Sequence, residues 1–204
     1  MYNFDYSLSE FAFLTFAYLC GSIPFGLIVT KIVGKTDIRK HGSGNIGATN
    51  VARVLGKKWA GITFILDGLK GLFPVILGNI FFKMQFGDSF IAFTAILAVL
   101  GHMFPLWLKF RGGKGVSTTI FVLFAVDWIL ALFLCLIWFN VFLLKRVSAL
   151  SALISILATT ILASFYSSFE IMLMCAFLCV MIFIRHKENI KRMLNKKELK
   201  FKKK

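Results

Sequence analysis

The residues best suited to chemistry lie in His41–Arg53, HGSGNIGATNVAR, a polar stretch within an otherwise oily chain. Gly42, Gly44 and Gly47 let the backbone take positive φ and turn successive N–H groups toward one point, an anion-binding nest. A helix beginning after the loop adds its N-terminal dipole. Ser43, Asn45, Thr49 and Asn50 bring short hydrogen-bonding side chains, and Arg53 brings a planar fork that fits phosphate. An ordinary turn-rich loop has the same composition, so this stretch alone decides nothing. A second glycine–cation loop, RGGKG at Arg111–Gly115, supplies Gly112, Gly113, Lys114 and Gly115. A third polar cluster runs from His186 to Arg192. Together they shift the reading toward phosphate binding.

The elements that must position these clusters are membrane helices. Of 204 residues, 58% are hydrophobic and only 16% charged, and the mean hydropathy is +0.81. A soluble domain averages about 45–50% apolar and about 25% charged residues, so an all-α polytopic membrane protein is expected. Cys20, Cys135, Cys175 and Cys179 all lie in apolar stretches, which suggests neither disulfides nor a metal site. Residues 1–10 hold Asp5 and Glu10 but no Lys or Arg, so the first apolar segment reads as a retained span rather than a signal peptide. Hydropathy places spans at about 11–33 (with a kink at Gly21-Ser-Ile-Pro24), 59–82, 90–108, 147–165 and 170–184.

The remaining apolar segment, Gly115–Leu144, is either one long helix or a hairpin turning at Asp127. Charge decides, because cytoplasmic loops carry the Lys/Arg excess. A single crossing would put Lys145, Arg146 and the basic tail outside. A hairpin, 115–126 and 128–144, makes seven spans with the N-terminus outside and the C-terminus cytoplasmic, and places 22 of the 24 Lys/Arg inside. Lys83 then faces out and Lys70 lies within a span. Asp5, Glu10, Asp88, Asp127 and Glu170 fall on the outer side. The hairpin is the expected form. Its first arm, 12 residues or about 18 Å of helix, cannot cross a core of about 30 Å. RGGKG is therefore expected below the cytoplasmic membrane surface, at a helix N-terminus in a cationic recess that suits phosphate. The cytoplasmic segments are 34–58, 109–115 and 185–204 of one domain, 1–204.

Three runs carry a family resemblance. Gly21-Ser-Ile-Pro-Phe-Gly26 with Asp37-Ile-Arg39 and Gly42-Ser-Gly-Asn-Ile-Gly-Ala-Thr-Asn50 through Arg53 resembles the first motif of the bacterial acyl-phosphate:glycerol-3-phosphate acyltransferases, the PlsY type. Gly101-His-Met-Phe-Pro-Leu-Trp-Leu-Lys-Phe-Arg-Gly-Gly-Lys-Gly-Val116 resembles its second motif, and His186-Lys-Glu-Asn-Ile-Lys-Arg192 with Glu198 its third. The likeness runs nearly end to end. Lys196 stands where the family usually has Gly, and Ser117 where it usually has Ala. The resemblance implies a seven-span enzyme of the bacterial inner membrane with its site on the cytoplasmic face. It would move a fatty acyl group from acyl phosphate to the 1-hydroxyl of glycerol 3-phosphate, giving lysophosphatidic acid and phosphate.

On that reading Ser43, Arg53, Lys114, His186 and Asn189 form the catalytic set. Gly42, Gly44, Asn45, Thr49, Asn50, Gly112, Gly113 and Gly115 contact substrate. The partners are the two substrates and membrane lipid, not nucleic acid; the chain acts as a monomer and needs no metal or cofactor. Acyl phosphate is already activated, so positioning and charge neutralisation suffice. The HxxxxD box of thioester-dependent acyltransferases is missing, since Ile46, Trp107 and Lys191 stand five residues after the three histidines. There is also no GxSxG elbow. Surrounding cations should lower the pKa of His186, so it positions substrate while the bound phosphate takes the hydroxyl proton.

Other features have plainer readings. His102 reads as an interface anchor, and Lys109 as a topology charge. Asp67 and Lys70, three residues apart inside the second span, should pair and support the first loop. The basic tail Lys196–Lys204 suits anionic lipid heads better than nucleic acid. An anion transporter would want an internal repeat and midplane ionisable groups. The only echo here is a glycine three or four residues before each proline. A purely structural module would leave the two cationic glycine loops without a use.

Overall fold

The computed structural model describes residues 7–201 and consists, among them, of helices and connecting turns without strands. Asp5 and Lys202–Lys204, which belong to the charge expectations above, lie outside the described residues.

Helix α1 (Leu8–Gly21) opens with a capping box, in which Ser7 and Glu10 satisfy each other's backbone N–H groups. It stops where expected. Pro24 has no N–H to donate, and α2 (Phe25–Gly34) begins after it. At the break the Ile23 carbonyl accepts the Phe25 N–H at 3.1 Å and also Lys70 Nζ at 2.6 Å. The polar loop then leads into α3 (Ala48–Leu55) and, across Gly56, α4 (Lys57–Phe81). α5 (Lys83–Met103) starts about two turns earlier than the expected span at 90, because Lys83–Phe86 form a helical turn before Gly87 breaks the ladder at φ 63°. α5 lies close against α1. A Cβ on Gly21 would meet the Ala98 carbonyl at 2.0 Å, and one on Gly101 the Tyr18 carbonyl at 2.2 Å. Small residues at such crossings let membrane helices approach closely.

The apolar 30-residue segment is two helices, α6 (Val116–Val126) and α7 (Trp128–Lys145). They part at Asp127, whose backbone is extended and whose carboxylate accepts the Ile129 and Leu130 N–H groups at 3.0 and 3.3 Å. An N-cap of this kind is what an aspartate between two apolar runs supplies. α8 (Ser148–Tyr166), α9 (Phe169–Arg185) and α10 (Lys187–Leu194) complete the order, with a bend of 59° between α9 and α10.

Among the described residues, five stretches are long and apolar enough to cross a membrane: Leu8–Gly34, Lys57–Phe81, Lys83–Leu108, Trp128–Lys145 and Ser148–Tyr166. The bent pair α9–α10 makes a sixth, and α6 is a shorter apolar helix. The main core joins α4 to α9 through Val75, Phe90, Val99, Leu123, Leu134, Ile156 and Leu178. A small second cluster, Leu27, Ile38, Ile46 and Val51, underlies the polar loop. Large apolar side chains such as Phe73, Ile80, Leu136, Leu157 and Val180 are exposed along the flanks. Such a surface suits lipid.

Candidate active site

The first loop is built around one buried side chain. Asn50 Oδ1 accepts the Ser43 N–H at 2.8 Å, and its Nδ2 donates to the carbonyls of Ile38, His41 and Asn45. Gly42 and Gly44 sit at φ 59° and 70°, and a Cβ on Gly42 would meet Asn50 Oδ1 at 2.2 Å. Asn45 Oδ1 holds the Gly47 N–H at 2.9 Å. Asn50, expected to contact substrate, borders the cavity beside the loop but commits its amide to the loop itself, and Gly42, expected to do the same, lines neither cavity of the site. Ser43 and Arg53 face the cavity that the loop borders, and so does Thr49, which shares a hydrogen bond of 3.0 Å with Ser148.

The second loop is framed the same way. Gly112 and Gly113 donate their N–H groups to the Met103 and His102 carbonyls at 3.1 and 3.0 Å. Their own carbonyls accept from Arg185, Nη2 to Gly112 at 2.6 Å and Nε to Gly113 at 3.0 Å. Neither N–H is therefore turned to a ligand, although Gly112 still lines a cavity. What the clamp achieves is to hold Lys114, with Gly115 at φ 86° starting α6.

Lys114 Nζ donates to Asn189 Oδ1 on α10. Asn189 Nδ2 donates in turn to Glu198 Oε1 at 2.9 Å, and Arg192 Nε donates to Glu198 Oε2 at 2.9 Å. His186, at the α9–α10 bend, holds the Ile182 carbonyl through Nδ1 at 2.8 Å. That bond assigns the proton to Nδ1 and leaves Nε2 without a hydrogen. Burial, then the Lys114 charge, pushes His186 down to about 4, with the Ile182 bond opposing and Arg185 adding to the fall. Burial also pushes Lys114 down to about 8; Glu198 opposes this, and Arg192, Arg53 and Arg185 add to it. At neutral pH the site therefore holds a neutral imidazole beside a charged, partly dehydrated ammonium. Ser43, Arg53, Lys114, His186 and Asn189 line one cavity.

That cavity, about 680 Å³, has a largely apolar wall that includes Ile120, Leu132, Leu136, Trp138, Phe139 and Phe142. A second cavity of about 1000 Å³ is cationic and lined by Arg39, Lys109, Arg111, Arg185, Lys187 and Arg192. The two share Ser43, Asn45, Lys114 and Asn189. An oily compartment and an anion-attracting one thus meet at hydrogen-bonding side chains.

The family profile described as glycerol-3-phosphate acyltransferase matches residues 11–196. The chain belongs to this family. A glycerol-3-phosphate acyltransferase of Wolbachia pipientis subsp. Culex pipiens is 43% identical over 194 residues, covering 95% of this chain and all of that one. Another, from Rhodopseudomonas palustris, is 46% identical over 183 residues, 89% of this chain and 90% of the relative. The crystal structure of PlsY (YgiH), an integral membrane glycerol 3-phosphate acyltransferase in its glycerol 3-phosphate form, superposes with a TM-score of 0.89 at 39% identity. The match covers 95% of this chain and 96% of that one. Its lysophosphatidic acid form gives 0.86 at 38% identity over the same shares. This glycerol-3-phosphate acyltransferase is accordingly an integral membrane enzyme.

Two side chains that frame the site, Arg185 and Glu198, stand outside the expected catalytic and substrate-contacting sets. Arg185 clamps the second loop, and Glu198 ties Asn189 to Arg192. Both lie in or beside the third motif, but nothing in their spacing says which carbonyl or amide they reach. The buried Asp67–Lys70 pair is present at 2.8 Å, with His102 Nδ1 3.6 Å from the same carboxylate oxygen. The Asp67 carbonyl accepts from Thr118 Oγ1 at 2.9 Å, so this cluster fastens α6 as well as the α1–α2 break.

Proposed function

We propose that this acyltransferase uses acyl phosphate as donor and acylates the 1-hydroxyl of glycerol 3-phosphate, releasing lysophosphatidic acid and inorganic phosphate. The observation that carries the reading is the meeting of the apolar and cationic cavities at Ser43, Asn45, Lys114 and Asn189. A donor with an oily tail and an acceptor that is a small dianion need those two compartments, opening on one reacting point. PlsY, in its glycerol 3-phosphate and lysophosphatidic acid forms, supports the acceptor and the product.

Arg53 and Lys114, with Ser43 and Asn189, hold the phosphoryl group of glycerol 3-phosphate. Arg53 offers two parallel donors, and Lys114 offers a point charge. Gly44, Asn45, Thr49 and Gly115 border the bound substrates. The acceptor hydroxyl oxygen attacks the acyl carbonyl carbon, and the bond from that carbon to the phosphate oxygen breaks. The departing phosphate keeps the electron pair, which nearby cations stabilise as it develops. The hydroxyl proton passes to a phosphate oxygen already in the cradle. A His186 imidazole lowered to about 4 is a weak base at neutral pH; its free Nε2 instead accepts a hydrogen bond and fixes the acceptor.

The whole chain acts as one catalytic domain. α1–α2, α4, α5, α7, α8 and α9 cross the bilayer, and α6 enters halfway. The N-terminus lies outside and the three motifs face the cytoplasm across a bacterial inner membrane. Two experiments test this reading. Purified protein in detergent should turn over acyl phosphate and leave an acyl thioester untouched; the reverse preference overturns the donor assignment. Single cysteines replacing Lys83 and Asp127 should label from outside, and those replacing Ser43, Lys145 and His186 from inside. An internal 127 with an external 145 overturns the topology.

A further inference from the structure

Beyond α10 the chain doubles back over the site. Lys196 turns left-handed at φ 56°, and Glu198 and Phe201 come to line the apolar cavity. Phe201 is anchored there at two points. Its N–H donates to the Arg146 carbonyl at 3.0 Å, and its ring meets Phe142 edge-on at 5.6 Å between centroids. Phe142 is stacked on Trp138 at 4.9 Å and 12°. Above this aromatic ladder, the Arg53 guanidinium carbon lies 5.3 Å from the Phe201 centroid. Arg53 Nη2 also donates to the Leu199 carbonyl at 3.3 Å.

Arg53 is half-buried on a short helix, so a long flexible side chain must be held if its fork is to meet a phosphate squarely. The Leu199 carbonyl is a long, neutral contact that phosphate oxygens can replace. A ring face attracts a guanidinium without occupying any of its five N–H donors. A cation held this way loses less freedom on binding its ligand.

We infer that Phe201 is a positioning residue, whose ring holds the Arg53 guanidinium ready for the phosphoryl group of glycerol 3-phosphate. This rests on the function proposed above and adds a residue outside the three motifs. It also ties the phosphate cradle to the wall of the acyl cavity, since the ring that supports Arg53 stands on Phe142.

The test measures glycerol 3-phosphate affinity by calorimetry and steady-state kinetics on detergent-purified enzyme. The variants are Phe201→Leu and Phe201→Met, both apolar and ringless, and Phe201→Trp, which presents a stronger π face. The ringless variants should weaken the Kd and raise the KM for glycerol 3-phosphate about two- to thirtyfold, the range of a cation–π contact. Their KM for acyl phosphate should change less than their KM for glycerol 3-phosphate, because Phe201 is only one of many side chains in the apolar wall. Phe201→Trp should match wild type. Ringless variants that bind glycerol 3-phosphate like wild type overturn the inference. So does equal impairment of all three, or a loss confined to acyl phosphate. Wild-type protein that neither binds glycerol 3-phosphate nor transfers to it overturns the proposed function instead.

Discussion

Gly113→Ala puts the framing of Lys114 to a quantitative test. A Cβ at Gly113 would lie 2.0 Å from His102 Nε2, against 3.4–4 Å for ordinary contact. His102 cannot swing away, because it is 3% exposed and its Nδ1 faces Asp67. The backbone must therefore give by more than an ångström, against the Gly113 N–H bond to His102 and the Arg185 clamp on the Gly112 and Gly113 carbonyls. Overpacking of this kind costs about 1–3 kcal/mol, a fall in Tm of roughly 2–12 °C for a chain of this size. The larger effect is on the next residue, since Lys114 must keep its contact with Asn189. A misplacement of about 1 Å at a reacting centre costs on the order of a hundredfold in kcat/KM. Gly56→Ala is the matched control. Gly56 sits at φ 87°, has no atom within 4 Å of where the added methyl group would stand, and lines neither cavity. It should therefore lose about 1–3 kcal/mol of stability through strain alone and keep its activity. Wild-type kcat/KM in Gly113→Ala refutes the reasoning, as does an equal activity loss in Gly56→Ala.

Arg53→Lys keeps the charge and loses the fork, so glycerol 3-phosphate turnover should fall at least about tenfold; kinetics like wild type remove Arg53 from the cradle. The pH profile of kcat/KM should have its alkaline limb near 8, where Lys114 loses its proton, and its acid limb near about 6, where the substrate phosphate gains one. His186, lowered to about 4, is neutral across that window, so His186→Gln should keep both limbs at reduced turnover. Loss of the acid limb, with rescue by imidazole, would make His186 the base. Asp67→Asn and Lys70→Met should each cost about 3–5 kcal/mol by leaving a buried partner uncompensated. The double variant should recover part of that in thermal unfolding, and strictly additive losses would dissolve the pair.

The parts legible in the sequence are those set by local chemistry and by the placing of charge. The break at Asp127 follows from the distribution of Lys and Arg along the chain, and the aspartate then caps the second helix. Gly21-Ser-Ile-Pro24 interrupts the first helix because a proline cannot donate. Of the three glycines of the polar loop, Gly42 and Gly44 adopt positive φ, whereas Gly47 is extended at φ −77° because it caps α3. Lys196 holds a left-handed conformation at φ 56°, which explains why glycine is the usual residue there. The parts that were not legible depend on long-range partners. Nothing in RGGKG says that two of its N–H groups reach residues 102 and 103. Nothing in TNVAR says that Asn50 turns inward to pin the loop. The route of Glu198–Phe201 over Arg53 depends on Arg146 and Phe142, more than fifty residues away in the chain.

In the proposed reaction acyl phosphate and glycerol 3-phosphate meet at one point between the two cavities. Following all phosphorus-containing species by 31P NMR, in one sample of purified enzyme with both substrates, tests it most directly. Acyl phosphate and glycerol 3-phosphate should disappear in equal amounts while inorganic phosphate and 1-acylglycerol 3-phosphate appear in the same amounts. Phosphate release without acylated product, a 2-acyl product, or product formed only when an acyl thioester is supplied would contradict it.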